Sequence, residues 1–224
     1  MRHAQVQHRG RQVLVAMPGS GRLRGGHAVP HAHLCTERAR RYARRLSREI
    51  TLAIDGQLFR AVLGSFPTGV TIVTTVGSDG APRGLTCNAI CSVSADPPLL
   101  LFCLGKKAGS VSAFLENKAF VVNFLAEGRG ELSTRFASPV EDKFAGTRWE
   151  PSKLAGGSPI LSDEIVAHAE CTLSQVVDAG DHHVLIGLVV GGSANGGNPL
   201  MYLRRMYANW PDSEPAPRGE QIHG

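Results

Sequence analysis

Short apolar runs, each ended by glycine, proline or small polar residues, follow one another through most of the chain. Residues 70–76 are rich in β-branched side chains, which favour extended backbone, and Asp79 and Gly80 then supply a turn. This pattern predicts strands over residues 70–76, 85–93, 98–104, 120–125, 165–177, 184–190 and 200–204. Many short strands with few helices favour an antiparallel barrel or sandwich over a doubly wound sheet.

Helical spacing is confined to short stretches. The first begins after Asp55, a candidate N-cap, where apolar residues recur at the spacing of one helix face. This apolar stripe consists of Leu58, Phe59, Val62, Leu63 and Phe66. Two further helices are predicted over residues 110–117 and 130–137, whereas the prolines and glycines of residues 138–164 predict loop.

The charge of the chain is unevenly placed. The formal net charge is +5, but the first 50 residues hold 11 Arg against 2 Glu, a net of +9, so the remainder is mildly acidic. We predict that residues 1–50 are a basic extension, disordered over 1–34 with a basic helix over 36–50. Residues 51–211 are then the folded domain and residues 212–224 a flexible tail. The extension could serve as an arm for nucleic acid, but no aromatic interleaving or binding motif accompanies its charge, so we expect no such partner.

The cysteines and apolar runs exclude other classes. Five cysteines without framework spacing favour a reducing, cytoplasmic compartment. No apolar run approaches the roughly 20 residues needed to span a bilayer, so we expect no membrane association. Cys87 and Cys91 lack a second pair at zinc-site spacing, and no metal is expected. No Rossmann or Walker glycine motif follows a strand, so any nucleotide must be held by another arrangement.

Six segments in a fixed order resemble the short-chain flavin reductase family, the reductase components of two-component flavin monooxygenases. They are FRAVLGSFPTGVTIVTT (59–75), GLTCNAICSVSADPPLLLFCL (84–104), FVVNFL (120–125), RFAS (135–138), DKFAG (142–146) and GDHHVLIGLV (180–189). The resemblance implies a mainly β fold, a split β-barrel of Greek-key type with a few short helices, assembled as a homodimer. It also implies that NADH or NADPH reduces FMN or FAD, and that reduced flavin diffuses to a partner monooxygenase.

The resemblance places the flavin ring system against two stretches. In residues 84–89, Thr86 and Asn88 offer hydrogen bonds and Ala89 leaves room for a flat ligand. The second stretch is residues 135–137, in which the ring of Phe136 is expected to pack near the isoalloxazine or the ribityl chain.

A third stretch suits the flavin phosphate. Lys106, Lys107, Gly109 and Ser110 follow a strand end and open a short helix, where backbone N–H groups and a cation favour an anion. The full set of expected cofactor contacts is Thr68, Gly84, Leu85, Thr86, Asn88, Ala89, Ser92, Cys103, Leu104, Lys107, Gly109, Ser110, Phe136, Ala137, His182, Tyr202 and Arg204.

The nicotinamide side carries the one expected catalytic residue. Hydride transfer is the cofactors' own chemistry, so the protein has to position one ring against the other. By resemblance His182 lies beside the nicotinamide, with Asp181 fixing the turn. Tyr202 and Arg204 approach the same side, and Arg204 or Arg205 could select a 2′-phosphate.

For each of these residues a structural role is the alternative: Thr and Asn facing solvent on a strand, lysines on a solvated loop, a histidine satisfied within a turn. The rival function is a non-catalytic flavin- or haem-binding protein on the same barrel, because a fold does not settle function. The sequence leaves FMN or FAD, and NADH or NADPH, open.

Overall fold

The computed structural model describes residues 7–8, 11–12 and 54–209. In the N-terminal extension, β1 (Gln7–His8) pairs antiparallel with β2 (Arg11–Gln12), a contact that the sequence pattern does not predict. The remainder of the predicted disordered stretch, the basic helix over residues 36–50 and the tail over residues 212–224 lie outside the described residues. Within the part of the chain that is described, no helix has both the length and the apolarity of a membrane span.

The body of the chain, from residue 55 to residue 209, is built mainly from strands. In chain order its elements are α1 (Gly56–Leu63), β3 (Thr68–Gly69), β4 (Thr71–Val76), β5 (Pro82–Cys87), β6 (Ile90–Ala95), β7 (Pro98–Gly105), α2 (Val111–Asn117), β8 (Ala119–Leu125), α3 (Gly130–Ala137), β9 (Trp149–Pro151), β10 (Pro159–Leu161), β11 (Ile165–Ala179), β12 (His182–Ala194), β13 (Leu200–Leu203) and β14 (Met206–Asn209). The predicted mainly β character is confirmed.

Seven strands form one antiparallel sheet in the order β5-β4-β8-β11-β12-β7-β6. Its two edge strands are consecutive in the chain, because β5 ends at Cys87 and β6 begins at Ile90. Three residue steps span at most about 11 Å, so the sheet must curl until its edges approach each other. The amide of Cys103 donates to the carbonyl of Ala89 at 3.0 Å inside this closure. The sheet is therefore a barrel closed by the chain, as the split-barrel prediction requires.

This closure corrects one predicted strand. The apolar pattern over residues 85–93 predicts a single strand, but the chain leaves the sheet at Asn88 and Ala89 and crosses from one edge to the other. Periodicity cannot register this crossing, because the apolar side chains continue on both sides of it.

The interior of the barrel is filled by one apolar cluster drawn from six of the seven strands and from α2. Its buried members are Val73, Cys87, Leu100, Phe102, Leu104, Phe114, Phe120, Val122, Cys171 and Leu185. A second cluster lies on the outer face of β4 and β8, where Ile72 and Leu125 pack with Phe136 of α3. Both strands are therefore buried on both faces, and their buried polar side chains, such as Thr74 and Asn123, are hydrogen-bonded there.

Part of the predicted loop over residues 138–164 is instead structured. The strands β9 and β10 pair antiparallel, and β10 lies against the barrel. The hydroxyl of Thr74 donates to the carbonyl of Pro159 at 2.5 Å, and the amide of Leu161 donates to Oδ1 of the buried Asn123 at 2.9 Å. These polar bonds fix the segment although its prolines conceal any strand pattern.

The remaining strands form a three-stranded sheet in the order β14-β13-β3. Its strand β13 ends at Leu203, and Arg204 and Arg205 adopt positive φ angles of 50° and 67° in the turn that follows. The predicted final strand therefore stops one residue early, and β14 is an element that the sequence pattern does not predict.

The helix α1 is capped as predicted but leaves its apolar face open. The carboxylate of Asp55 accepts from the amides of Gln57 at 2.7 Å and Leu58 at 2.8 Å. The stripe of Leu58, Phe59, Val62, Leu63 and Phe66 is nevertheless 49% to 69% exposed. This stripe contributes nothing to either core cluster.

Candidate active site

A cavity of about 950 Å³ lies between β5, the loop after β7, the end of α3 and the loop that follows α3. It brings together eight of the predicted contact residues from three separate segments of the chain. They are Gly84, Leu85, Thr86, Lys107, Gly109, Ser110, Phe136 and Ala137. Its volume is within the range of small-molecule sites.

One wall of the cavity depends on a glycine. A Cβ at Gly84 would lie 2.8 Å from Cε1 of Phe136, so only glycine allows this ring to lie so close to β5. Phe136 is fully buried and packs edge-to-face on Phe144, with ring centroids 4.9 Å apart. Its ring therefore forms part of the cavity wall beside β5, and its expected packing near the isoalloxazine or the ribityl chain stays a prediction. The hydroxyl of Thr86 donates to the carbonyl of Ser133 at 2.5 Å, so its proton is already used to fasten β5 to α3.

The opposite wall is the loop from Gly105 to Ser110. Lys107 is exposed and lines the cavity, and the hydroxyl of Ser110 makes no capping bond to α2. Lys106 differs from its neighbour. Its Nζ donates to the carbonyl of Gly180 at 2.7 Å and forms an ion pair with Asp178. Of the two adjacent lysines, Lys107 is therefore the one placed at the cavity.

Two cationic residues of the cavity wall are missed by the sequence analysis. Lys143 donates from Nζ to the carbonyl of Phe136 at 2.7 Å, and its burial lowers the pKa of the ammonium. Arg83 lies on β5 and pairs with Asp79 at 2.6 Å. The DKFAG segment that contains Lys143 is a signal that could have identified it. Arg135 does not reach the cavity, because it donates to the carbonyl of Ala145 at 2.5 Å.

His182 is not among the residues that line the cavity; it is the first residue of β12, directly after the turn that follows β11. It pairs with Gly105 across the sheet, and its Nε2 is 3.7 Å from the position that a Gly105 Cβ would take. Its Nδ1 lies 2.7 Å from Oδ1 of Asp181. This hydrogen bond is the main reason that the pKa of Asp181 falls below its usual range. The backbone of His182 is thus paired with the end of β7, from which the Lys107 loop departs.

A second group of predicted residues lies together but does not line the cavity. Nδ2 of Asn88 donates to the hydroxyl of Thr68 at 3.3 Å, and Thr68 pairs with Tyr202 between β3 and β13. Ala89 and Ser92, also predicted, are exposed near the barrel closure and at the edge strand β6.

Three further predicted residues are also outside the cavity lining. Leu104 is fully buried in the barrel core, so its side chain faces away from any ligand and only its backbone could serve. Cys103 is half-buried, and desolvation raises the pKa of its thiol. Arg204 is exposed in the turn after β13, where its amide donates to the carbonyl of Gly64 at 3.1 Å.

Among the described residues, no group of three His, Cys, Asp or Glu side chains is arranged to hold a metal ion. Cys87, Cys91, Cys103 and Cys171 are free thiols. Burial raises the pKa of Cys87 to about 11 and that of Cys171 to about 12, so neither is a thiolate at neutral pH.

Residues 63–211 match the family described as flavin reductase like domain. The chain belongs to this family. A flavin reductase (NADH) from Kitasatospora aureofaciens is 51% identical over 163 residues, which are 72% of this chain and 85% of that protein. A flavin-dependent monooxygenase reductase subunit, HsaB, from Rhodococcus jostii is 45% identical over 168 residues, 74% of this chain and 84% of that protein.

A solved structure supports the same assignment. The nitrilotriacetate monooxygenase component B homolog from Mycobacterium thermoresistibile is similar in fold, with a TM-score of 0.68. The two sequences are 41% identical, and the similarity covers 75% of this chain and 94% of that chain. The resemblance noted in the sequence is therefore confirmed at the level of family and fold.

Proposed function

We propose that this member of the flavin reductase family transfers hydride from NADH or NADPH to FMN or FAD and supplies reduced flavin to a partner monooxygenase. The observation that carries the proposal is the cavity beside β5, which gathers eight predicted contact residues in a chain of this family. The relative that is 51% identical is named for NADH, so NADH is the first donor to assay.

The cavity has the features that a flavin needs. Gly84 keeps the β5 wall flat, and Leu85 adds apolar surface on the same strand. Lys107 and Ser110 stand on the opposite wall, where an ammonium and a free hydroxyl suit a phosphate. When bound, the flavin and the nicotinamide supply the redox chemistry, and the protein has to hold the two rings in contact while excluding water.

His182 is proposed to bind the nicotinamide carboxamide. In the neutral imidazole, Nδ1–H donates to the carboxylate of Asp181, which leaves Nε2 as a hydrogen-bond acceptor on the side of Gly105. A carboxamide N–H is a suitable donor to that nitrogen. Asp181 thereby fixes both the tautomer and the orientation of the ring.

A homodimer is proposed from the exposed face of α1. Each side chain of the stripe from Leu58 to Phe66 is about half or more exposed, which leaves an apolar face of α1 open. We propose that a second copy of the chain covers this face. The free thiols of the described cysteines also fit a cytoplasmic location.

The proposed function is tested by mixing the purified full-length protein with each nicotinamide and each flavin and following the absorbance of the reduced nicotinamide. Flavin-dependent oxidation is expected with at least one pair. His182→Ala should raise the nicotinamide KM several-fold while the flavin Kd changes less than twofold. Lys153→Met, at an exposed lysine outside the cavity, should change neither constant. No oxidation with any pair would favour a non-catalytic flavin-binding protein.

A further inference from the structure

Lys106 connects two segments that the proposed reaction needs to keep together. Its amide donates to the carbonyl of Asp181 at 3.0 Å, which extends the pairing of β7 with β12 beyond the last strand residues. Its side chain reaches the same turn, where Nζ donates to the carbonyl of Gly180 at 2.7 Å. Both bonds therefore join the strand end before the Lys107 loop to the turn that carries His182.

An ion pair adds to these bonds. Nζ of Lys106 pairs with the carboxylate of Asp178, and this contact is the main cause of the lowered pKa of Asp178. The same carboxylate lies 3.7 Å from Nδ1 of the half-buried His183, so it faces two basic groups. The Lys106 side chain is 33% exposed against 74% for Asp178, so Lys106 is the less exposed partner of this surface pair.

The turn itself has little other support. Residues 174–182 are all exposed, and Gly180 adopts a φ of +61° at the tip of the long hairpin. The strand pairing fixes the backbone of His182 opposite Gly105, and the Lys106 amide continues this backbone pairing to Asp181, whose side chain orients the imidazole. What the Lys106 side chain adds is the bond to Gly180 and the ion pair with Asp178. The bonds from Lys106 act on the carbonyl groups of Gly180 and Asp181.

We propose that Lys106 is a positioning residue for the nicotinamide, holding the Gly180–His182 turn against the Gly105–Ser110 loop so that the imidazole keeps its place beside the cavity. The inference rests on the proposed role of His182. It assigns the two adjacent lysines to different ligands: Lys107 serves the flavin phosphate directly, and Lys106 serves the nicotinamide through the turn.

The test compares Lys106→Met with Lys107→Met in the full-length enzyme, using NADH and FMN. Methionine keeps most of the apolar stem and removes the charge. We expect Lys106→Met to raise the NADH KM about fivefold, the effect of losing about one net hydrogen bond, with the FMN Kd unchanged within about twofold. Lys107→Met should show the reverse, and Lys106→Arg should restore most of the NADH affinity.

A double variant separates positioning from a general structural role. If Lys106 acts through His182, Lys106→Met should add almost nothing to the NADH KM of His182→Ala. The inference would be overturned, with the proposed function intact, if Lys106→Met raised the NADH KM by the same factor in the wild-type and His182→Ala proteins. A parallel loss of FMN affinity and thermal stability in Lys106→Met would overturn it as well. An unchanged KM in His182→Ala would overturn the nicotinamide assignment and this inference with it. A wild-type enzyme that oxidises neither nicotinamide would contradict the proposed function itself.

Discussion

The close contact between Gly84 and Phe136 predicts a specific cost for adding one methyl group to the cavity wall. In Gly84→Ala the new Cβ would meet Cε1 of Phe136 at 2.8 Å, Cδ1 at 3.1 Å and Cγ2 of Thr74 at 3.3 Å. The Phe136 ring cannot withdraw easily, because it is fully buried and packed on Phe144. Either the ring or the β5 backbone must move.

The magnitude follows from two opposing effects. Overpacking a core contact costs about 1–3 kcal/mol. Replacing glycine by alanine also stabilises by about 0.5–1 kcal/mol, because it restricts the unfolded chain. The matched control is Gly109→Ala, on the opposite wall of the cavity, where a new Cβ meets nothing within 4 Å. Both variants gain the same stability from the restricted unfolded chain. The difference between their free energies of unfolding should therefore be the overpacking cost, about 1–3 kcal/mol.

Urea unfolding at one fixed protein concentration measures this difference. With an m-value of about 2 kcal/mol/M, the midpoint of Gly84→Ala should lie roughly 0.5–1.5 M below that of Gly109→Ala. Displacement of the β5 wall should also weaken FMN binding in Gly84→Ala. In a Phe136→Leu background the same substitution should cost less, since the ring edge is gone. Equal midpoints for the two alanine variants, or an equal cost in both backgrounds, would refute this account of the wall.

Two further predictions concern surfaces away from the cavity. Phe59→Ser on α1 should convert the proposed homodimer to a monomer, as measured by light scattering. The control is Leu154→Ser, which should leave the dimer intact although Leu154 is as exposed (53%) as Phe59 (54%). A dimeric Phe59→Ser would exclude α1 from the interface. Alkylation followed by peptide mass mapping near neutral pH should modify the exposed Cys91 well before the buried Cys87, whose pKa is raised to about 11, and rapid labelling of Cys87 would contradict its burial.

Local signals in the sequence predict much of the fold. The helix over residues 130–137 is confirmed at both ends, and Asp55 caps α1 because its carboxylate is followed by free first-turn amides. The barrel closure at residues 88–89 and the strand β10 are not predicted. Both depend on contacts between distant segments, such as the bond from Thr74 to Pro159, that leave no periodicity.

The candidate site is predicted less completely than the fold. The residues on β5 and on the loop before α2 are assigned through the family resemblance, and they line one cavity. Lys143 is missed although it lies in the DKFAG segment that carries part of the resemblance, because no periodicity reveals which carbonyls a loop lysine will meet. Leu104 is assigned as a contact through the backbone at a strand end; its side chain fills the barrel core, so the assignment stays a prediction about its backbone groups alone.

The most direct measurement of the central claim is a crystal structure of the protein with FMN bound. The account predicts the isoalloxazine against Gly84, Leu85 and Thr86, with the phosphate within hydrogen-bonding distance of Lys107 or Ser110. An FMN molecule bound elsewhere, with these two walls untouched, would contradict it.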